Sequence, residues 1–243
     1  MIYVGLDDTD IVDSPGTNQL ARQIVGLISD RFHTQLIARH QLLQDPRVPY
    51  TSKNGCASLL LESRLAEPPD DRSIGQLTSV LRQTIRQWSP AGSDPGMCVA
   101  TTIPAEVVQW GRRCQRELVT QQEARALAAA HGICLEGLGG TQGGVIGALA
   151  AVGLVATGED GRVLYLGSSA EDFYDVGGWQ SVESLRARGI AEIRCLESEA
   201  VVDTGRVHVG KRLRPNYRRG KAVLYVSLEP SEQGPIWQAV KLL

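Results

Sequence analysis

An apolar run over residues 2–6 ends abruptly in acid. The stretch VGLDDTDIVDSP, residues 4–15, carries Asp7, Asp8, Asp10 and Asp13. Two carboxylates about 4 Å apart repel by about 4 kcal/mol at an effective dielectric near 20, against about 1 kcal/mol in bulk water. A chain that uses the preceding residues as a buried strand must therefore aim this loop at open solvent or at a cation. The strand places the loop at the edge of a sheet, which favours the cation. On an extended chain Asp8 and Asp10 point to one side and Asp7 to the other. Hard oxygen donors on a short loop suit Mg²⁺, which takes one or two carboxylates and completes its shell with water and phosphate oxygens. A turn with Asx caps ahead of the next helix accounts for the same residues without a ligand.

Beyond the loop, Ser14, Pro15 and Gly16 supply turn chemistry. Leu20, Ile24, Leu27, Ile28 and Phe32 then recur at helical spacing. Residues 35–43 and 55–61 read as strands. Ile74, Leu77, Leu81, Ile85 and Trp88 form a second helical stripe, and residues 97–101 a fourth strand. The order β-α-β-β-α-β predicts an α+β fold: a ferredoxin-like sandwich with helices on one face of an antiparallel sheet, followed by a second, smaller α/β unit. Residues 105–114 are helical, and Thr120 with Glu123 makes a capping box opening a further helix. A strand over 133–138, a glycine-rich loop and a helix bearing Val145, Leu149 and Val152 follow. Residues 163–166, 207–209 and 222–228 are strand-like.

Composition narrows the classes. The 243 residues are 42% hydrophobic and 21% charged with a net charge of -2, so no global field draws nucleic acid or an anionic membrane. The longest apolar stretch, near 145–156, is broken by glycines and too short for a bilayer, so no membrane partner is expected. Asp7 and Asp8 arrive before a secretory signal could form. Five cysteines, an odd number with no CxxC, suit reduced thiols in a cytoplasmic protein. Cys98 and Cys134 read as small core residues.

Four further stretches carry chemistry. Lys53, Asn54 and Gly55 precede the third strand; Asn-Gly is a hairpin signal, and Lys53 is a cation suited to a phosphate. Asp94, Pro95 and Gly96 form a turn whose glycine would admit a ligand to the backbone. In EGLGGTQGGVIGALAAVG, residues 136–153, six glycines crowd a strand-to-helix junction. Gly143 and Gly144 at that helix start offer backbone N–H groups to an anion. The spacing is neither a Walker A loop nor GxGxxG. Close packing of a small-residue helix explains it equally well. Finally, TGRVHVGKRLRPNYRRGK, residues 204–221, holds Arg206, Lys211, Arg212, Arg214, Arg218, Arg219 and Lys221 with no acid. From Arg206 to Lys221 this segment offers a site for RNA, with Tyr217 able to stack on a base. A solvated basic loop, or one that neutralises the protein's own acids, is the alternative.

Taken together, the GxDDTD loop from Gly5, the VPY…N-G segment from Val48 to Gly55, the Asp94-Pro95-Gly96 turn and the GVIGALAAVG helix from Gly144 occur in the order found in archaeal tRNA-isoleucine agmatidine synthetases. The chain resembles that family over residues 3–153. The resemblance implies an ATP- and Mg²⁺-dependent, kinase-like domain over 1–115 and a ferredoxin-like second domain over 116–243 that ends in the basic segment. It implies that Asp7, Asp8 and Asp10 hold Mg²⁺, with Asp8 also catalytic. Lys53, Asn54, Gly55, Asp94, Gly96, Gly143 and Gly144 would bind ATP, and agmatine or another small amine would be the second substrate. Thr17 is the nearest counterpart of the family's phosphoryl-transfer threonine, because the loop after DDTD is longer here and ends Gly16-Thr17-Asn18-Gln19. The chain stops where the family's OB-fold would begin, and the missing CxxC pairs exclude its zinc ribbon. RVLYLGSSAEDF, residues 162–173, departs from the family pattern. The leading expectation is an ATP- and Mg²⁺-dependent phosphotransferase or ligase acting in tRNA modification. The rivals are a non-catalytic RNA- or nucleotide-binding protein and a regulatory protein that keeps a nucleotide pocket without chemistry.

Overall fold

Strand β1 (Ile2–Asp7) is apolar on both faces, and this decides the architecture around it. Ile2, Val4 and Leu6 are fully buried on one face, while Tyr3, Gly5 and Asp7 alternate to the other. The computed structural model describes residues 1–48, 53–64, 69–167, 173–230 and 235–242, which fall into two units, Met1–Thr157 and Gly158–Leu243. Pro49 and Tyr50 of the VPY segment, and residues 168–172 of RVLYLGSSAEDF, lie outside the described residues.

In the first unit β1 sits between β3 (Gly55–Ser63) and β4 (Gly96–Ala100). β2 (Phe32–Gln41) pairs with β3, and β5 (Cys134–Gly137) with β4. The order is β5-β4-β1-β3-β2, and every neighbouring pair is antiparallel. Helices α1 (Thr17–Ile28) and α2 (Asp71–Trp88) follow β1 and β3, so the expected β-α-β-β-α-β order is present within an α+β unit. α1 buries Leu20, Ala21, Ile24 and Ile28, and α2 buries Leu77, Leu81 and Ile85. They cover the face to which Ile2, Val4 and Leu6 point. Phe32 opens β2 rather than closing α1, because the turn at residues 29–31 ends the helix first.

The opposite face is covered as well, which two-layer patterning did not anticipate. Helices α3 (Ala105–Cys114), α4 (Gln121–Ala130) and α5 (Val145–Ala156) share one apolar cluster with Tyr3, Cys56 and Cys98. Thr120 caps α4 through the expected reciprocal bonds with Glu123. α5 is buried almost all round, with Val145 and every residue from Gly147 to Val155 enclosed. Its approach to the sheet is set by missing side chains. A Cβ on Gly5 would strike the Ala148 carbonyl, and one on Gly96 the carbonyl of Gly144. Residues 115 and 116 lie between α3 and α4, and both helices pack on α5 within this unit.

The second unit is mostly strand. It holds β6 (Arg162–Leu166), β7 (Trp179–Ser181), the short α6 (Val182–Ala187), β8 (Glu192–Cys195), β9 (Arg206–His208), β10 (Asn216–Arg218), β11 (Lys221–Glu229) and β12 (Ile236–Ala239). Its order is β6-β10-β11-β12-β9-β7, with β8 parallel to β11 and β9 parallel to β12. Ile193, Val207, Val223, Leu224 and Val226 are fully buried within it. Among the described residues no helix is long and apolar enough to cross a membrane.

Replacing Gly5 by Ala pushes a methyl group into backbone that has no route to retreat. It is expected to cost about 1–3 kcal/mol, as overpacking does. Gly26→Ala is the matched control: it lies inside α1 with nothing within 4 Å of an added Cβ. That change is expected to stabilise by about 0.5–1 kcal/mol. Urea midpoints of the two variants check both signs.

Candidate functional site

Where β1 ends, the chain turns sharply. Asp8 takes a φ of 54°, in the left-handed region that aspartate tolerates better than most residues. Its carbonyl accepts a bond of 3.2 Å from the Asp94 N–H, and the Asp94 carbonyl accepts one of 2.9 Å from Gly144. The Asp94 carboxylate accepts from the Thr141 N–H. Asp94 thus pins three segments together: the end of β1, the turn before β4 and the start of α5. A Cβ on Gly147 would collide with the Asp7 carboxylate, so α5 leaves room for that group only because it carries glycine there.

The acidic loop then feeds α1. The Thr17 hydroxyl donates to Asp10 Oδ1 at 3.0 Å, and the Thr9 hydroxyl donates to Thr17 Oγ1 at 3.0 Å. Thr9 and Thr17 are buried. α1 has no side-chain cap at Gly16, and its first residues open on the cavity beside the acids.

That cavity holds about 440 Å³. Of the residues singled out in the sequence, Asp7, Asp8, Asp10, Thr17, Lys53, Asn54, Gly55, Asp94 and Gly143 line it. Gly96 and Gly144 do not: Gly144 spends its N–H on Asp94, and the group that approaches Gly96 is Gly144 itself. Asn54 is engaged within the protein, its side-chain amide donating to the Leu43 carbonyl at 2.7 Å. It closes the long connection 42–54 rather than a two-residue hairpin.

Several lining residues carried no signal in the sequence. Arg39 projects from β2 over Gly55, where a Cβ would meet its guanidinium. Its one mark in the sequence is a charge inside a strand, where its neighbours Leu36, Ile37, Ala38 and His40 are buried. Arg47, exposed at the rim, is held by Asp45 at 2.7 Å. Leu42, Leu43, Val48, Leu118, Val119 and Ile146 give the cavity an apolar wall. Leu42, Leu43 and Val48 come from the β2–β3 connection and Leu118 and Val119 from the α3–α4 connection, where no periodicity marks them, and Ile146 comes from the first turn of α5.

The electrostatics are lopsided. Burial, reinforced by Asp8, pushes the Asp7 carboxyl up to about 8. Burial, with Asp94 and Asp10 nearby, lifts Asp8 to about 6. The Cys114 thiol, also on the cavity wall, is raised by burial and then by the Asp7 charge. Among the described residues no group of three or more His, Cys, Asp or Glu side chains forms a ready-made metal cage. The donor set is nonetheless the kind Mg²⁺ accepts, hard carboxylates in local excess, with one or two from the protein and the rest from water or phosphate.

No family model matches the sequence, and no curated protein matches it. Solved structures do. The complex of TiaS, the tRNA(Ile2) agmatidine synthetase, with tRNA(Ile2) and ATP is similar at 24% identity with a TM-score of 0.53, over 63% of this chain and 36% of that chain. The complex of TiaS with tRNA(Ile2), AMPCPP and agmatine gives 22% and 0.52, over 62% of this chain and 35% of that one. A tRNA fluorescent labeling enzyme gives 24% and 0.53, over 63% and 35%. The chain therefore shares a fold with these proteins and spans about a third of their length.

A carboxyl whose pKa is raised by folding holds its proton longer in the folded state. The stability this gives is complete below the ordinary value near 4 and is lost as pH climbs to about 8 for Asp7 and about 6 for Asp8. In the presence of a chelator, the melting temperature is expected to fall between pH 5 and pH 8. Asp7→Asn removes the titrating group and flattens that fall, as a series of thermal melts would record.

Proposed function

We propose that the first unit binds ATP with Mg²⁺ and uses it in a phosphotransferase or ligase-type step that modifies RNA, in the manner of agmatidine synthetases. One observation carries the reading: Asp7, Asp8, Asp10, Asp94, Lys53 and the start of α1, drawn from separate parts of the chain, converge on a single cavity beside an apolar wall. A nucleotide needs that combination, with cations and helix N–H groups for phosphates and apolar surface for a base. The shared fold with ATP- and tRNA-bound TiaS supports it.

Bound Mg²⁺ would be held by Asp7, Asp8 and Asp10 and would neutralise phosphate charge. Lys53 and Arg39 line the same cavity and would position phosphate oxygens. The positive end of α1 lies there too. Thr17 would be the acceptor hydroxyl. Its hydroxyl donates to Asp10, so Asp10 would take the proton as the oxygen bonds to the γ-phosphorus of ATP and the bond to the departing ADP breaks. Thr9 holds the same oxygen from the other side and fixes its direction. The surplus of carboxylates would also draw a small amine such as the agmatine in the TiaS complex. Catalysis here is mostly positioning: the network holds the reacting groups before substrate arrives.

Asp8→Asn is expected to abolish ATP cleavage while the melting temperature holds or rises, since one repelling charge is gone. Thr17→Val should lose phosphoryl transfer and Thr17→Ser keep it. Phosphate release and thermal melts read both, and ordinary turnover by Asp8→Asn overturns the assignment. Wild-type protein with Mg²⁺ and ATP at about 100 times the dissociation constant should gain about 2.7 kcal/mol of stability.

A further inference from the structure

The basic segment of the second unit divides in two. Arg219 and Lys221 lie 3.1 and 3.8 Å from Glu192, which Arg194 also engages at 2.6 Å. Arg218 donates to the Glu159 carbonyl at 2.9 Å. These cations are spent within the protein. Arg206, Lys211, Arg212 and Arg214 have no carboxylate in ion-pair range among the described residues. Two of them lie instead on exposed rings. The Arg206 guanidinium sits 5.5 Å from the centre of Trp179, and that of Arg212 sits 3.9 Å from the Tyr174 ring.

Both rings are open, Trp179 at 44% and Tyr174 at 53% exposure. They belong to one strip of backbone. Trp179 pairs with His208 across β7 and β9, with ring centres 5.2 Å apart. Further along, the Gly178 N–H donates to the Gly210 carbonyl at 2.8 Å, the Gly178 carbonyl accepts from the Val209 N–H at 2.9 Å, and the Leu213 N–H donates to the Val176 carbonyl at 2.7 Å. The 174–179 and 206–213 segments therefore run side by side, each carrying its half of the two arginine–ring pairs. On β9 Val207 is buried, which turns Arg206 and His208 outward with Trp179. Tyr217, the aromatic the sequence suggested for stacking, is half-buried in β10.

An exposed indole and phenol, each roofed by a guanidinium with no ion-pair partner among the described residues, match one kind of partner. Phosphates take the cations, and unpaired bases take the ring faces. A duplex hides those faces, and an acidic peptide offers nothing to stack. We propose that the strip formed by Tyr174, Trp179, Arg206 and Arg212 is a binding platform for single-stranded RNA. This deepens the reading above by saying where an RNA strand would lie. It is tested without ATP, so its failure leaves the nucleotide site untouched.

The test uses the full chain and a fluorescent oligouridylate of about twelve nucleotides, a length within the range one small β-unit covers. Wild-type protein should bind it, with affinity falling steeply between about 50 and about 200 mM salt. Trp179→Ala and Tyr174→Ala should each weaken binding about tenfold, the scale of one lost stacking contact. Arg206→Ala should weaken it and reduce the salt slope, with Arg206→Lys restoring the slope. Arg219→Ala with Lys221→Ala should stay within about twofold of wild type, since those charges are already paired. Circular dichroism and melting temperature confirm that each variant folds, and Trp179→Phe, which keeps a ring, should retain most affinity should the alanine variant fail to fold. Equal affinity for oligothymidylate leaves the platform intact and removes the restriction to RNA. Binding no tighter than to heparin or to a duplex of equal phosphate content, or unchanged by both aromatic variants, overturns the proposal. So does an absence of binding at low salt.

Discussion

The carboxylates at the end of β1 repel one another, and the fold still gathers them. Asp7, Asp8, Asp10 and Asp94 belong to two separate loops, yet Asp94 is fastened by its own backbone to Asp8 and to the first turn of α5. At an effective dielectric near 20, each close pair costs about 4 kcal/mol if both groups are charged. Burial first, and then the neighbouring carboxylates, keep protons on Asp7 and Asp8 well above the usual carboxylate range, which lessens that cost. Nothing in folding alone requires such an arrangement; an Asn at either position would relieve it. Stored repulsion of this kind is most useful where a cation is to be received, because binding then releases it.

Glycines on both sides of the contact between α5 and the sheet are what make the crowding possible. With ordinary side chains at Gly5, Gly96 and Gly147 the helix would stand off the sheet. The Asp7 carboxylate would then face water and titrate normally. Instead the helix lies against β1 and β4, encloses Asp7 and presents Gly143 to the cavity. Packing and site construction are here one device: the same absent Cβ atoms set the interlayer distance and the local dielectric. The sequence left close packing and anion binding equally weighted for this stretch. The geometry gives Gly144 and Gly147 to packing and leaves Gly143 on the cavity wall.

Much of the first unit was legible because period and punctuation agreed. The apolar run of β1, the stripe of α1 and the Thr120–Glu123 box each appear at the expected place. What escaped was long-range. That α3, α4 and α5 close over the second face follows from Gly5 meeting Ala148, a contact between residues far apart in sequence. Arg39 escaped because one charged residue in a strand looks the same whether it faces solvent or a cavity. The second unit was poorly legible since β7, β9 and β10 have three residues each, too few to show a period. The acidic loop was legible as chemistry, but its partner Asp94 became part of the same cluster only through the β1–β4 pairing.

The basic segment shows why charge counting along a sequence stops short of function. Arg218, Arg219 and Lys221 look no different in sequence from Arg206 and Arg212. The distinction is made by Glu192 and Glu159, which arrive from β8 and from the turn after α5. An exposed ion pair is worth little to stability, commonly under about 1 kcal/mol, but it does occupy its cation. A polyanion that recruited Arg219 would have to compete with Glu192, whereas among the described residues Arg206 and Arg212 have only ring faces to leave or to share. An Arg that stacks on an aromatic ring keeps its charge and its in-plane donors available, since the ring takes only the face of the guanidinium. The available positive charge therefore lies beside Trp179 and Tyr174 and not at the Arg218–Lys221 turn, although the sequence density of basic residues is as high there.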